Sequence, residues 1–326
     1  MKLYSVVIPV FNEAESLAKL IDELQAVGSD HQHDSEIILV DDGSTDHSWQ
    51  VISDLAEKND LVTGIRLRRN FGKAAALSAG FEVAEGEFIF TMDADLQDDP
   101  KEIPDFLAKL ESPKFDVVSG WKKIRHDPIH KTFPSKIFNW LVSRLTGVKL
   151  HDHNCGFKCY RREVLSEIDL YGEMHRFIPV LANARGFQVG ELVVEHRKRQ
   201  FGVSKYGFKR FFKGFLDLLT VYFLTGYRQR PQHLLGAFGL GSFSLGFAGL
   251  TYLAIYWMIR VFGEFPDMEP LHQRPLLIYS LGALLLGAQL MSIGFIAELI
   301  TAYYRRDTKP FSIKETIPPE KNNFSS

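Results

Sequence analysis

Two uncharged runs near the C-terminus constrain this chain more than any other feature. Residues 234–259 contain no charged residue in 26 positions, and residues 276–297 contain none in 22. Either run is long enough to cross a hydrocarbon core of roughly 30 Å at 1.5 Å per residue. The remainder reads as an ordinary globular chain. Charged residues make up 24 % of the sequence and apolar ones 45 %, a balance that excludes wholesale disorder. The expectation is a globular domain followed by a membrane anchor.

Charge placement sets the expected orientation. Residues 197–230 carry nine Lys or Arg and a single acid, Asp217. Arg305, Arg306 and Lys309 follow the second run, whereas the connector 260–274 holds Arg260 and Arg274 against Glu264, Asp267 and Glu269. By the positive-inside rule both termini are cytoplasmic and the connector faces outward. The first residues run straight into an apolar strand, without the h-region of a signal peptide. The first domain is therefore expected to stay on the side where it is made, at the cytoplasmic (inner) membrane.

Between domain and spans, Phe208, Phe211, Phe212, Phe215, Leu219, Tyr222 and Phe223 recur at spacings of three and four. Lys209, Arg210, Lys213 and Asp217 take the other face. This pattern predicts an amphipathic helix lying in the headgroup region, with its cations toward anionic lipid.

The N-terminal part alternates. Apolar runs at 3–10, 36–40, 87–92 and 115–118 suit strands of a parallel sheet buried on both faces. Helical patterns lie between them at about 46–57, 73–84 and 101–110. A further helix begins at Asn12, whose Glu15 three positions on resembles a capping box. This order predicts a Rossmann-like α/β sheet, in which ligands bind beyond the carboxyl ends of the strands.

Those strand ends are polar. They read Pro9-Val10-Phe11-Asn12-Glu13, Asp41-Asp42-Gly43-Ser44 and Asp93-Ala94-Asp95-Leu96-Gln97. No G-x-G-x-x-G follows the first strand, so a dinucleotide phosphate loop is not expected. Asp93 and Asp95, two apart on an extended segment, are expected to point to one side. Two hard carboxylates there suit Mg²⁺ or Mn²⁺, which often bridges protein carboxylates and a substrate diphosphate. An acid at Asp42 can accept hydrogen bonds from a base or ribose.

Together with Asn70-Phe71-Gly72-Lys73, Asn154-Cys155-Gly156-Phe157-Lys158-Cys159-Tyr160-Arg161-Arg162 and the basic segment 197–206, these motifs resemble the family 2 glycosyltransferases of GT-A fold. More narrowly, they are similar to the polyisoprenyl-phosphate glycosyltransferases, which include dolichol-phosphate mannose synthases and bactoprenol glucosyltransferases. The two terminal spans resemble the bactoprenol branch. The resemblance covers about residues 3–310. It implies a GT-A domain over residues 1–206, an interfacial helix over 207–231, a two-helix transmembrane domain over 232–304 and a cytoplasmic tail over 305–326.

The resemblance also implies residue roles. Pro9, Phe11, Glu13, Val40 and Asp42 would line the nucleotide pocket. Asp93, Ala94 and Asp95 would hold the donor diphosphate, with Asp93, Asp95 and Gln97 as metal ligands. Lys122 stands where relatives usually have Arg, so a bidentate contact is replaced by a point charge. Arg199 and Lys205 fall on positions that contact donor phosphates. Asp152 stands where the family has an acid near the reaction centre, as a base or an orienting residue. On the acceptor side, Arg125, Lys131 and Ser135 precede an apolar helical stretch at 137–145. They either bind a polyprenyl phosphate or form a basic loop facing the membrane.

The implied reaction is inverting transfer of a hexose, glucose from UDP-glucose by the two-span likeness, to undecaprenyl phosphate. The nucleophile would be a phosphate oxygen that is already anionic. A separate flippase and a downstream glycosyltransferase would then handle the product. Two other readings compete. A processive polysaccharide synthase usually has Q-x-x-R-W, which does not occur here. A non-catalytic scaffold that binds nucleotide sugar would not need Asp42, Asp93 and Asp95 together. The net charge of −2 gives no field for nucleic acid.

Weaker signals remain. Cys155 and Cys159 lack a second ligand pair for zinc and read as structural thiols. His151 and His153 flank Asp152 as either a small site or a polar loop. Ala237-x-x-x-Gly241 and Ser242-x-x-x-Gly246 permit close helix packing, within the chain or in a homo-oligomer. Gln289 either bonds across helices or faces the protein interior.

Overall fold

The computed structural model describes residues 2–123, 129–168, 170, 172, 174–197, 216–218, 220–222, 231–263 and 269–304. It divides into two compact units, residues 1–225 with 314–326, and residues 226–313.

The first unit is built on a seven-stranded sheet of order β3-β2-β1-β4-β6-β5-β7. Its strands are β1 (Tyr4–Val10), β2 (Ser35–Asp41), β3 (Val62–Arg66), β4 (Phe88–Thr91), β5 (Val117–Lys122), β6 (Lys158–Arg161) and β7 (Val189–Val194). Only β6 runs antiparallel to its neighbours, β4 and β5. The carboxyl ends of β1, β2, β4, β5 and β7 therefore share one edge.

Alternate residues of β1 face two separate cores. Tyr4, Val6, Ile8 and Val10 pack with Leu17, Leu20 and Ile21 of α1 (Ala14–Asp30) and with Phe106 and Leu110 of α4 (Ile103–Glu111). Val7 packs with Ile38 and Val40 of β2 and with Ala76 and Leu77 of α3 (Lys73–Val83) on the opposite face. Burial on both faces is what produces such apolar strands. The remaining helices of this unit are α2 (Ser48–Lys58), α5 (Ile129–Thr146), α6 (Arg162–Ser166) and α7 (Ile178–Arg185).

The capping box expected at Asn12 does not form. Asn12 adopts a left-handed conformation (φ 56°), and Glu13 stands at the N-cap of α1 with no side-chain cap. The Asn12 amide oxygen instead accepts from Thr45 N at 2.8 Å, and Asn12 N donates to Ser44 Oγ at 2.9 Å. Residues with capping chemistry here join the ends of β1 and β2.

A third cluster packs Phe138 and Val142 of α5 with Phe177 and Val180. Leu218 and Val221 are buried in it, and the backbone around them is helical at 216–218 and 220–222. The segment predicted to be amphipathic thus seats these two residues on its own domain. Leu216 beside them is exposed, as are Ile137 and Trp140 of α5. The rest of residues 207–230 lies outside the described residues.

The second unit is a hairpin of α8 (Pro231–Phe262) and α9 (Pro275–Tyr304), both long and apolar enough to cross a membrane. At Gly246 a Cβ would collide with the backbone of Ser280 and Leu284, so the absent side chain permits the contact. Ser242 Oγ donates to the Ala283 carbonyl at 2.7 Å. The Ser242–Gly246 spacing therefore serves packing within the chain, whereas a Cβ at Gly241 would meet nothing within 4 Å. Gln289 is exposed on α9, not turned to the interior.

Candidate active site

Three strand ends meet loops at the shared edge. At β2, Asp42 is buried and accepts from Phe71 N at 2.7 Å and Gly72 N at 2.9 Å. Burial raises its pKa, against the pull of the two N–H donors. Gly43 (φ 69°) lies flat on the 69–70 backbone, where a Cβ would come 2.5 Å from the Arg69 carbonyl carbon. Asp42 thus holds the loop that leads into α3. That loop turns Phe71 outward with the Arg69 guanidinium 4.3 Å over its ring. Pro9, Phe11 and Glu13 are partly exposed at the end of β1, whereas Val40 is fully buried in the core beneath.

At β4, the strand stops at Thr91 and the Asp93-Ala94-Asp95 segment is a turn, not the extended segment expected. Ala94 and Leu96 are buried, and Leu96 takes a left-handed conformation (φ 60°) to bring the chain round. Asp93 and Asp95 remain partly exposed, as does Gln97, whose N–H donates to Asp95 Oδ1 at 3.2 Å.

Lys73, the first residue of α3, bonds Asp93. Burial alone would raise the Asp93 pKa, but Lys73, with Lys122 and His175 further off, drives it well below the usual carboxylate range. Asp93 also lies against Gly156, where a Cβ would come 2.5 Å from its Oδ2. Thr91 Oγ1 secures that loop by donating to the Gly156 carbonyl at 2.8 Å.

Among the described residues no three His, Cys, Asp or Glu side chains gather as a metal cage. Two partly exposed acids beside an amide fit a different arrangement, a hard cation that completes its shell with diphosphate oxygens and water. Asp93 and Asp95, with Gln97, are the residues that would hold it.

Lys122 pairs with an acid of the same turn. Its ammonium sits 2.7 Å from the fully buried Asp98. Burial opposes the charge of Lys122, but Asp98 more than offsets it and raises its pKa. The residue is the ion-pair partner of Asp98, and its charge also reaches Asp93.

Asp152 is buried in a loop fixed from two sides. Glu191 of β7 accepts from His151 N at 2.8 Å and Asp152 N at 3.1 Å. From α5, Asn139 Nδ2 donates to the His151 carbonyl and Ser143 Oγ to the Leu150 carbonyl. Asp152 Oδ1 accepts from Asn154 N at 3.1 Å. The flanking histidines diverge. His151 stacks on Trp121 at 3.9 Å, while His153 is buried near Ser143 with its pKa pushed down to about 3 by desolvation. Cys155 and Cys159 are buried free thiols.

Of the remaining expected residues, Ser135 lies on α5 and is partly exposed. Arg125, Arg199, Lys205 and the side chain of Lys131 lie outside the described residues. Arg197 marks where the basic segment begins. Its guanidinium bridges Glu23 Oε2 at 2.6 Å and Asp99 Oδ2 at 2.5 Å, and its N–H donates to the Gln97 carbonyl at 3.0 Å.

Four buried or half-buried nitrogen-bearing side chains were given no role by the sequence reading: the cations Lys73, Lys158 and Arg176, and His175, which burial keeps neutral. Each carried a signal. Lys73 opens a helix, where the macrodipole disfavours a cation. Lys158 interrupts the apolar run Phe157–Tyr160, and His175-Arg176 interrupt Met174–Ile178.

The chain matches the Glycosyl transferase family 2 over residues 5–169. It is 41 % identical to the dodecaprenyl-phosphate galacturonate synthase of Rhizobium johnstonii, over 96 % of this chain and 92 % of that one. The chain belongs to this family of glycosyltransferases. It is also 36 % identical to an undecaprenyl-phosphate 4-deoxy-4-formamido-L-arabinose transferase of Shewanella sediminis, over 92 % of this chain and 87 % of that one. Among solved structures it is similar to glucosyl-3-phosphoglycerate synthase of Mycobacterium tuberculosis. That likeness has a TM-score of 0.55 at 16 % identity, over 69 % of this chain and 78 % of that one. The similar structure was solved with Mn²⁺, UDP and phosphoglyceric acid. Mannosyl-3-phosphoglycerate synthase of Rubrobacter xylanophilus is similar at a TM-score of 0.53 and 18 % identity, over 68 % and 73 % of the two chains. At such identities the likeness establishes the GT-A fold, as the strand-end motifs implied.

Proposed function

We propose that this enzyme transfers a sugar from a nucleoside-diphosphate donor to a polyprenyl phosphate at the cytoplasmic face of the inner membrane. The observation that carries this reading is the 41 % identity to a dodecaprenyl-phosphate galacturonate synthase along nearly the whole of both chains. Two helices able to span a bilayer, and exposed Ile137, Trp140 and Leu216 on the first unit, support work at a lipid surface.

The donor reading moves away from glucose. That expectation rested on the two-span arrangement alone, whereas the relatives named above carry galacturonate and 4-deoxy-4-formamido-L-arabinose in their names. The sugar we assign is galacturonate, and the nucleotide to test first is UDP.

The acceptor phosphate is anionic near neutral pH and needs no strong base. Asp152, buried and accepting from its own loop, is read as an orienting residue. Lys73 would orient the donor, and Asp93 and Asp95, with Gln97, would hold the metal. A bound Mg²⁺ or Mn²⁺ would neutralise charge on the leaving diphosphate.

The test is transfer of labelled sugar from a panel of UDP- and GDP-sugars to dodecaprenyl and undecaprenyl phosphate, with and without Mg²⁺ or Mn²⁺. A metal-dependent, chloroform-extractable product from UDP-galacturonate is expected. A product from another donor alone would overturn the sugar. No lipid product from any donor would overturn the acceptor.

A further inference from the structure

Trp121 stands near the carboxyl end of β5, and Glu191 on the neighbouring β7 pairs in register with Ser119. The two-residue period of a strand puts Ser119, Trp121 and Glu191 on one face. His151 lies across this face. Its ring stacks on Trp121 at 3.9 Å with 13° between the planes, and its Nδ1 is 2.7 Å from Glu191 Oε2. Glu191 Oε1 accepts the backbone N–H groups of His151 and Asp152. The imidazole is therefore fixed in both position and orientation.

A carboxylate only accepts, so the proton of the neutral imidazole sits on Nδ1 and Nε2 keeps its lone pair. Among the described residues Nε2 meets no hydrogen-bond partner. The His151 side chain is 66 % exposed, and that of Glu191 13 %. A carboxylate behind a histidine in this way sets the outer nitrogen to take a proton. The charged groups nearby come from several elements. Lys123 has its ammonium 5.8 Å from the Trp121 ring centroid, and Lys109 of α4 bonds the Glu191 carbonyl. Within the loop, Lys149 is exposed and the Asp152 carboxylate accepts from Asn154 N. His153 is neutral, and α5 contributes Asn139 and Ser143, both uncharged.

The loop that carries His151 touches the two sides that a transfer to lipid must join. At one end Gly156 lies against Asp93, where a Cβ would come 2.5 Å from Oδ2. At the other, Asn139 of α5 donates to the His151 carbonyl at 2.9 Å, and Ile137 and Trp140 of that helix are exposed. A lipid-borne phosphate has to reach the donor between an apolar surface and the acidic turn. His151 is the exposed titratable group of the loop that spans them.

We propose that His151 Nε2 receives the phosphate of the acceptor lipid and takes its remaining proton, with Glu191 and Trp121 as positioning residues. This role rests on the transfer reaction proposed above. A phosphate monoester holds its second proton with a pKa of about 6, so part of the acceptor arrives as the monoanion. His151 removes the P–OH proton, and the freed oxygen forms the bond to the anomeric carbon. The bond from that carbon to the donor's β-phosphate oxygen breaks, and its electron pair leaves on the nucleoside diphosphate. The proton stays on Nε2, with the Glu191 carboxylate across the ring, and passes to solvent when the product departs.

The test uses full-length enzyme in nanodiscs and reads kcat/KM for undecaprenyl phosphate, at saturating donor and metal, at pH 6 and pH 8.5. His151→Gln is expected to lose about tenfold to hundredfold at pH 6. The loss should shrink to about threefold or less at pH 8.5, where the acceptor has already shed the proton. Glu191→Gln keeps an oxygen for the loop N–H groups, but its amide donates to Nδ1 and moves the imidazole proton to Nε2. It should show the same pH-dependent loss. Comparing one variant at two pH values, with a thermal melt at each, separates the role from folding. An equal loss at both pH values, or no loss, would overturn the role of His151 and leave the transfer reaction standing. If no sugar reaches lipid, titration of farnesyl phosphate into wild type and His151→Gln at pH 6, with farnesol as control, still decides. Phosphate-dependent binding about tenfold weaker in the variant is expected, and equal binding would overturn the site.

Discussion

Lys73 at the start of α3 bonds Asp93 beyond the end of β4, so a helix that packs on β1 and β2 is tied through opposite charges to the turn that follows β4. A lysine at the positive end of a helix is locally unfavourable. Here the acidic turn compensates for it.

Replacing this lysine should expose its role. Lys73→Met is expected to lower kcat/KM by about tenfold to hundredfold, the range for losing a charge-assisted hydrogen bond. Steady-state kinetics against donor concentration will show it. An unchanged kcat/KM would mean that the pair is only structural.

Asp95→Asn should abolish the response to metal and leave the fold intact, because Asp95 is partly exposed and bonds locally to Gln97. Titrating Mn²⁺ against activity, beside a thermal melt, separates the two effects. A normal metal response in this variant would remove Asp95 from the ligand set.

Asp42→Asn turns an N–H₂ group toward the N–H donors of Phe71 and Gly72. One of two hydrogen bonds is lost, at about 1–3 kcal/mol. The expected outcome is a lower melting temperature and faster proteolytic cleavage at 69–72, read by mass spectrometry.

Lys158 gives a pH signature. Its folded pKa, about 8, lies below the usual lysine value near 10.4. Below pH 8 both states hold the proton and the folded state bears the cost of burying it. Between about 8 and 10.4 the folded state releases the proton first, so stability rises with pH. Compared with Lys158→Met, the wild type should gain about 1 kcal/mol between pH 7 and 9. Paired melts at the two pH values measure it, and parallel changes would contradict it.

The parallel strands were legible because each is an apolar run covered on both faces. β3 and β7 were not: in β3 only Val62 is buried and Gly64 leaves room for Ile52, and in β7 only Gly190 and Val194 are buried. β6 was hidden by Lys158, a charge that reads as surface in one dimension. The acidic pair was found by position, but its turn geometry depends on Leu96 in a left-handed conformation, which a branched apolar residue does not announce. Asn12 misled for a related reason. Its capping chemistry is real, but the partner is Thr45, 33 residues away. The groups that act on Asp93 come from α3 (Lys73), β5 (Lys122) and the turn at 174–177 (His175), and only folding brings these distant segments to one edge.

Arg197 has a mechanical consequence. The acidic turn and the start of the basic segment are joined at consecutive points: Gln97 to Arg197 through the backbone, Asp98 beside His196 in a bridge, and Asp99 to the Arg197 guanidinium. The guanidinium also grips Glu23 of α1. Neither stretch can shift without straining the other. A displacement of the acidic turn is thereby carried, like tension in a guy rope, into the end of β7 and, through Glu23, into α1.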